Sequence, residues 1–233
     1  MENLTIDLNC DMGELEDSAH EAALMEHITS ANIACGGHAG DEATMERTAR
    51  LAIARGVRIG AHPGYPDRAN FGRIEMPMTT EEIAATIEEQ IRRLESVVRR
   101  LGAAIMHVKP HGAIYNVAVK NAEVARAIGQ GVARWNTGVP VFGLAGSPML
   151  DIWRAMGLEV WGEAFADRRY EPDGTLRSRK LPGALITDPA EAAAQAVRLA
   201  RAGNARTICV HGDTPGSVNI LRACREALLA RAS

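Results

Sequence analysis

Ionisable side chains in this chain collect just beyond short apolar runs. Leu4 to Asn9 leads into Asn9, Asp11 and Glu14, and Ala31 to Cys35 into Gly36-Gly37-His38 and Asp41. Val57 to Ala61 is followed by His62-Pro63-Gly64-Tyr65 and Asp67, and Ile105 to Lys109 by His111, Tyr115 and Asn116. Leu158 to Phe165 holds Glu163 and precedes Asp167 and Arg168, while Thr207 to Val210 precedes His211-Gly212-Asp213-Thr214-Pro215. Imidazole, carboxylate and ammonium groups brought together in this way suit proton transfer, anion binding or metal ligation.

Singly, most of these residues have ordinary readings. Asp11 after a strand would serve as a cap, yet Asn9, Asp11 and Glu14 together exceed what one cap requires. His62 before Pro63 would begin a turn, but His38, His62, His111 and His211 all occupy the same position relative to an apolar run, which points to a shared site. Lys109 lies between Val108 and Pro110 at the end of such a run, where a solvated lysine is not expected. It either pairs with an acid such as Asp11 or offers positive charge to an anionic substrate. His107, inside its run, reads as a hydrogen-bonded core residue, and His20 and His27 as surface or packing residues.

The clusters could hold zinc or manganese, but no HExxH or other tight ligand pair is present, so the metal is left open. GxxxxGK[ST], GxGxxG and GxSxG are also absent. Gly36, Gly37 and Gly40 before a helix capped by Asp41 could place backbone amides near an anion. Cys10, Cys35, Cys209 and Cys224 show no CxxC spacing, so neither a disulfide framework nor a structural zinc site is indicated, and none is marked as a nucleophile.

Positioning these groups requires a repeated scaffold. With Val139 to Leu144, the apolar runs make about seven strand candidates, alternating with helical patterns at roughly the spacing of βαβ units. The clearest helix starts at Thr79, where Thr79 and Glu82 form a capping box, and continues with Ile83, Ile87, Ile91, Leu94, Val98 and Leu101 on one face. Another starts at Asp188 with Pro189 and Glu191, and Asp41 and Ser217 read as caps. In a barrel of such units the carboxyl ends of the strands share one mouth. No linker divides residues 1–233, so one domain is expected, with Arg168 to Pro182 a long surface loop able to cover the site.

Composition agrees. Of 233 residues 46% are hydrophobic, 24% charged and 4% aromatic, with a formal net charge of -3, which excludes disorder and gives nucleic acid no basic footprint. No stretch approaches the roughly 18 apolar residues of a membrane span, and the N-terminus lacks a signal pattern. A cytoplasmic protein in a reducing compartment is expected.

The strings IDLNCDMGE (Ile6 to Glu14), SANIACGGHAGD (Ser30 to Asp41), IGAHPGYPDRANFGR (Ile59 to Arg73), HVKPHGAIYN (His107 to Asn116), FADRRY with DGTL (Phe165 to Leu176) and ICVHGDTP (Ile208 to Pro215) closely resemble the LamB/YcsF family, in order and across the chain. Departures are Cys10 and Met12 where Ala and Leu are usual, Gly37 where an aromatic is usual, with a widened site or an altered wall as the expected effect, and Ile74 where a second arginine is usual. The resemblance implies an α/β fold, a deformed β/α barrel of about seven parallel strands. It also implies ATP-dependent opening of 5-oxo-L-proline (pyroglutamate) to L-glutamate. ATP, with Mg, would be bound here or by the partners, which are PxpB-like and PxpC-like subunits; self-association is left open. Within that activity Asp11, Lys109 and Asp213 are the candidate catalytic residues, with Asp11 or Asp213 as base toward water. Asn9, His38, His62, His111 and His211 are the candidate substrate-binding residues. Two other readings suit the same residues: a metal-dependent sugar deacetylase or amidohydrolase, and a non-catalytic subunit that binds a small carboxylate.

Overall fold

A computed structural model describes residues 6–230. Strands β1 (Asp7–Met12), β2 (Ser30–Ala34), β3 (Arg58–His62), β4 (His107–Val108), β5 (Val141–Leu144), β6 (Val160–Phe165) and β7 (Thr207–Cys209) pair in parallel, in sequence order, and β7 returns to β1 to close the barrel. Around them lie α1 (Ser18–Met25), α2 (Glu42–Arg55), α3 (Thr80–Arg100), α4 (Gly112–Lys120), α5 (Ala122–Trp135), α6 (Pro148–Ala155), α7 (Pro189–Ala202) and α8 (Ser217–Leu229). The expected α/β barrel is therefore what the chain forms. Among the described residues, no helix is long and apolar enough to cross a membrane.

Strand β1 shows how the sequence divides its two faces. Leu8, Cys10 and Met12 join the hydrophobic core, while the alternate residues Asp7, Asn9 and Asp11 bond to other strands across the barrel interior, as the period of two requires. The first strand was expected to stop at Asn9, but it runs on to Met12, because polar residues pointing into a polar interior do not end a strand. Leu4 and Thr5 lie outside the described residues. Strand β4 is shorter than the expected Ile105–Lys109. The ladder nonetheless continues on both sides, Met106 N donating to Ile59 O and Lys109 N to Ala61 O.

The helix signals are mostly realised. Thr79 and Glu82 form the reciprocal capping box of α3, whose Ile83, Ile87, Ile91, Leu94 and Val98 are buried. Asp41 caps α2 at Thr44 N and Asp188 caps α7 at Glu191 N. Ser217 is not a cap: Gly216, with φ of 78°, precedes α8, and the Ser217 hydroxyl donates to Gly212 O.

Gly60 of β3 is paired with His107 of β4. A Cβ there would fall 2.0 Å from His107 Nε2, so the absence of a side chain is what admits the ring to the interior. Gly60→Ala is expected to lower stability by about 1–3 kcal/mol, the usual cost of overpacking. Urea unfolding of the purified variant measures this.

Candidate active site

The interior of a β/α barrel is commonly filled by aliphatic layers. Here it is polar and ascends toward one group. At the base, Ser30 Oγ (2.8 Å), Thr207 Oγ1 (2.6 Å) and Arg58 donate to Asp7. Above them Asn32 Nδ2 donates to Asn9 Oδ1 (2.7 Å) and Asp11 Oδ1 (2.9 Å), and His107 Nε2 donates to Asn32 Oδ1 (2.8 Å). Burial drives the His107 pKa down to about 3, so this expected core histidine is a neutral donor.

Lys109 crowns the stack. Its Nζ donates to Asp11 Oδ1 (2.7 Å), Cys209 Sγ (3.1 Å) and Asn9 Oδ1 (3.4 Å), and stands 3.1 Å from Glu163 Oε1. The side chain is 3% exposed. Burial alone would discharge it, but the carboxylates of Asp11, the larger influence, and Glu163 hold its pKa well above the ordinary lysine value. Asp11 is the converse: burial opposes its charge, and His62 and Lys109 overcome that and lower its pKa. Cys209 remains a thiol, raised chiefly by burial.

Beside this pair is a group of imidazoles. His62 Nδ1 donates to Lys109 O (2.7 Å), and His111 Nε2 to Phe71 O (2.9 Å). Phe71 is the one non-glycine residue with positive φ (55°) among the described residues, a strained backbone that presents its carbonyl to the ring. The other nitrogens, His62 Nε2 and His111 Nδ1, face each other at 2.9 Å. Glu14 Oε1 lies 3.3 Å from the latter, 3.6 Å from the former and 2.8 Å from His38 Nε2. His38 stacks on His111, centroids 3.6 Å apart and 4° from parallel. Burial lowers the His38 pKa to about 4.

A third unit joins His211 to Asp167. Asp167 accepts from His211 Nδ1 (3.0 Å), His211 N (3.0 Å) and Thr214 Oγ1 (2.6 Å). Burial opposes the Asp167 charge, but His211 and these donors bring its pKa to about 2 from 3.8. A carboxylate with a depressed folded pKa stabilises the fold above its unfolded pKa, and that contribution disappears as pH falls through the folded value. Asp167 is thus expected to contribute about 2 kcal/mol at neutral pH, lost between roughly pH 4 and pH 2. Acid unfolding midpoints of wild type and Asp167→Asn measure this: the variant should be less stable at neutral pH and lose less over that window.

These three units line a cavity of about 690 Å³ at the carboxyl ends of the strands. Of the candidate catalytic and substrate-binding residues, Asp11, His62, Lys109, His111, His211 and Asp213 line it, as do Glu14, Tyr115, Asn116 and Arg168 of the strand-end groups. Asn9 lies beneath Lys109, and His38 behind His111 against Glu14, so these two support lining residues rather than forming the wall. Asp213 sits where Arg73 and Arg179 (3.0 Å) both donate to it. The segment after β6 folds back through isolated bridges, Arg168 with Leu185 and Tyr170 with Leu176, and brings Arg177, Ser178 and Arg179 to the cavity.

Three participants stood among the strand-end groups in the sequence but were given no role there. Glu163 faces Lys109 from β6, and its signal was the same as that of Lys109: an ionisable residue inside an apolar run. Arg168 is 5% exposed; its Nη2 donates to Arg177 O (2.7 Å) while its Nε has no partner. Burial, then the nearby Arg179 charge, lowers its pKa to about 10. The Tyr115 hydroxyl, also on the cavity, is buried without a partner. Their place after a strand was visible in the sequence, but their unpartnered polar atoms were not.

Two expectations about the glycines need correction. The turn Gly36 to Gly40 offers no anion cradle: Gly36 N donates to Ala39 O, Arg68 donates to Gly40 O, and the Asp41 carboxylate already occupies the start of α2. Gly37 does not widen the cavity either. Its Cβ would fall 2.3 Å from Gln90 Oε1, and Gln90 uses that room to bond both Gly64 N (3.1 Å) and Gly64 O (2.7 Å).

Two groups have metal-ligand composition: Glu14, His38, His62 and His111, and Asp11, Cys209 and His211. In the second, the Lys109 ammonium already bonds Asp11 and Cys209, so a cation there would meet a like charge.

Fold and site together define a β/α-barrel protein whose ionisable cavity opens where the strands end. The LamB/YcsF family profile matches residues 6–233. The chain belongs to that family. It is 45% identical to the A-type 5-oxoprolinase subunit of Chloroflexus aggregans, over 97% of this chain and 96% of that one. It is 43% identical to the A-type 5-oxoprolinase subunit of Pyrococcus furiosus, over 97% and 94%. The crystal structure of a lactam utilization protein from Thermus thermophilus superposes with a TM-score of 0.90 at 39% identity, covering 98% of this chain and 97% of that one. A putative cellobiose-phosphate cleavage protein from Enterococcus faecalis shares the fold alone, with a TM-score of 0.62 at 14% identity over 97% and 94% of the two chains.

Proposed function

We propose that this chain is the lactam-opening subunit of an ATP-dependent 5-oxoprolinase, converting 5-oxo-L-proline to L-glutamate together with PxpB-like and PxpC-like partner subunits. The observation that carries this reading is the Lys109 ammonium, buried at the cavity floor and bonded to the Asp11 carboxylate, in a chain whose relatives are named as 5-oxoprolinase subunits of the A type.

A lactam is a stabilised amide, and transfer of the ATP γ-phosphoryl group to its oxygen makes the ring carbon a better electrophile. Water then adds to that carbon, and the carbon–nitrogen bond breaks as the nitrogen takes a proton. This leaves an acyl phosphate, which a second water hydrolyses to glutamate and phosphate. Lys109 stabilises the negative charge that develops on oxygen. Asp11 Oδ2, the carboxylate oxygen that Lys109 does not engage, orients the water and accepts its proton. His211, held by Asp167, delivers a proton to the leaving nitrogen. Arg168, which has no carboxylate partner among the described residues, anchors the substrate carboxylate.

Asp213 is committed to Arg73 and Arg179, so its role is to hold those arginines at the mouth rather than to act as base. No phosphate-cradling loop lies among the described residues, so ATP with Mg is bound with or by the partners, and its transferred group meets the mouth arginines. The test is glutamate formation from 5-oxoproline by the chain alone and with its partners. ATP-dependent product only with partners present supports the reading; no product from the assembled complex removes it.

A further inference from the structure

The imidazole group contains a mismatch of donors and acceptors. His62 spends its Nδ1 proton on Lys109 O, and His111 its Nε2 proton on Phe71 O. Both carbonyls can only accept, so each neutral ring is fixed in the tautomer that turns a bare lone pair inward. Those lone pairs, on His62 Nε2 and His111 Nδ1, meet at 2.9 Å. Glu14 Oε1 adds a third acceptor at 3.6 and 3.3 Å. Three inward acceptors with no proton between them require a positive charge at their centre. Histidines whose outer nitrogen donates to a backbone carbonyl are also the arrangement that orients metal ligands.

We propose that His62 Nε2, His111 Nδ1 and Glu14 bind one divalent first-row transition cation, with zinc the best match to two imidazoles and a carboxylate. Tetrahedral donors at about 2.0–2.1 Å from zinc stand about 3.3–3.4 Å apart, close to the separations found. The two ligand rings are perpendicular, at 89°, so both planes can contain the ion. His38 is not a ligand: it lies parallel to His111 at 3.6 Å, and one ion cannot lie in both of those ring planes. Its Nε2 holds Glu14 Oε1 instead (2.8 Å), from behind. Glu14, His62 and His111 line the cavity, which leaves the remaining coordination position open to water or a substrate oxygen, as in catalytic rather than structural sites. Asp11 Oδ2, 3.4 Å from His62 Nε2, borders that position. The site stands on geometry alone and does not depend on the lactam-opening reading.

The experiment uses the full chain without an affinity tag, stripped with a chelator and dialysed. Zinc is added with calorimetric detection, and cobalt with detection of its visible d–d absorption. One equivalent should bind. Glu14→Gln, which keeps the shape of the side chain, and His111→Gln should each weaken binding by at least about a hundredfold, and His38→Ala by about tenfold. Circular dichroism confirms that each variant is folded. A folded wild-type chain that takes up neither metal, or Glu14→Gln and His111→Gln variants that bind as tightly as wild type, would overturn the proposal and leave a proton shared between the two rings as the positive charge.

Discussion

Lys109→Met is expected to reduce kcat for 5-oxoproline cleavage by the assembled enzyme about a thousandfold, close to 4 kcal/mol of transition-state stabilisation. Lys109→Arg should not restore it. The ammonium is enclosed by Asn9, Asp11, Glu163 and Cys209 at 2.7–3.4 Å, and a planar guanidinium cannot occupy that point. The Met variant also leaves Asp11 and Glu163 buried without their counter-charge, a loss of about 3–5 kcal/mol in stability. Structural and catalytic roles are separated by Lys109→Met/Asp11→Asn: removing one charge of each sign should recover much of the stability and none of the activity. Urea midpoints and steady-state assays on the three variants measure both.

Asp11→Asn should lower kcat by about 10²–10⁴ with little effect on the fold. An asparagine keeps the Oδ1 acceptor for Lys109 Nζ and Asn32 Nδ2 and replaces only the oxygen that faces His62 and the cavity. The chain should therefore express, unfold cooperatively and still assemble with its partners, while failing to activate water. Wild-type turnover in this variant would assign the base elsewhere, and the Michaelis constant should change far less than kcat if the carboxylate acts, as proposed, on water rather than on the lactam.

The repeated βα units were readable because short apolar runs ending in polar residues alternated with helical patterns along the chain, and their closure into a barrel was what the family resemblance implied. Lys109 and its pairing with Asp11 were readable because a charged residue at the end of a buried strand must find a partner. Glu163 carried the same signal from β6 and was not drawn into the site, since nothing in the sequence calls for a second carboxylate beside a lysine already paired with Asp11. Arg168 and Tyr115 were visible as strand-end residues but not as site candidates, because what sets them apart is a polar atom left without a partner, and the lack of a partner has no local sequence pattern. The histidine tautomers were likewise out of reach, because the backbone carbonyls of Lys109 and Phe71 set them. Gly37 misled for the opposite reason. Loss of a side chain suggested added space, but Gln90 of a distant helix fills it.

The lactam is opened, on this view, in the cavity above Lys109. A crystal structure of the assembled enzyme with 5-oxoproline and a non-hydrolysable ATP analogue tests that directly. The lactam oxygen should lie within hydrogen-bonding distance of Lys109 Nζ, with the substrate carboxylate on Arg168. Density for 5-oxoproline in a partner subunit, with only water above Lys109, would contradict it.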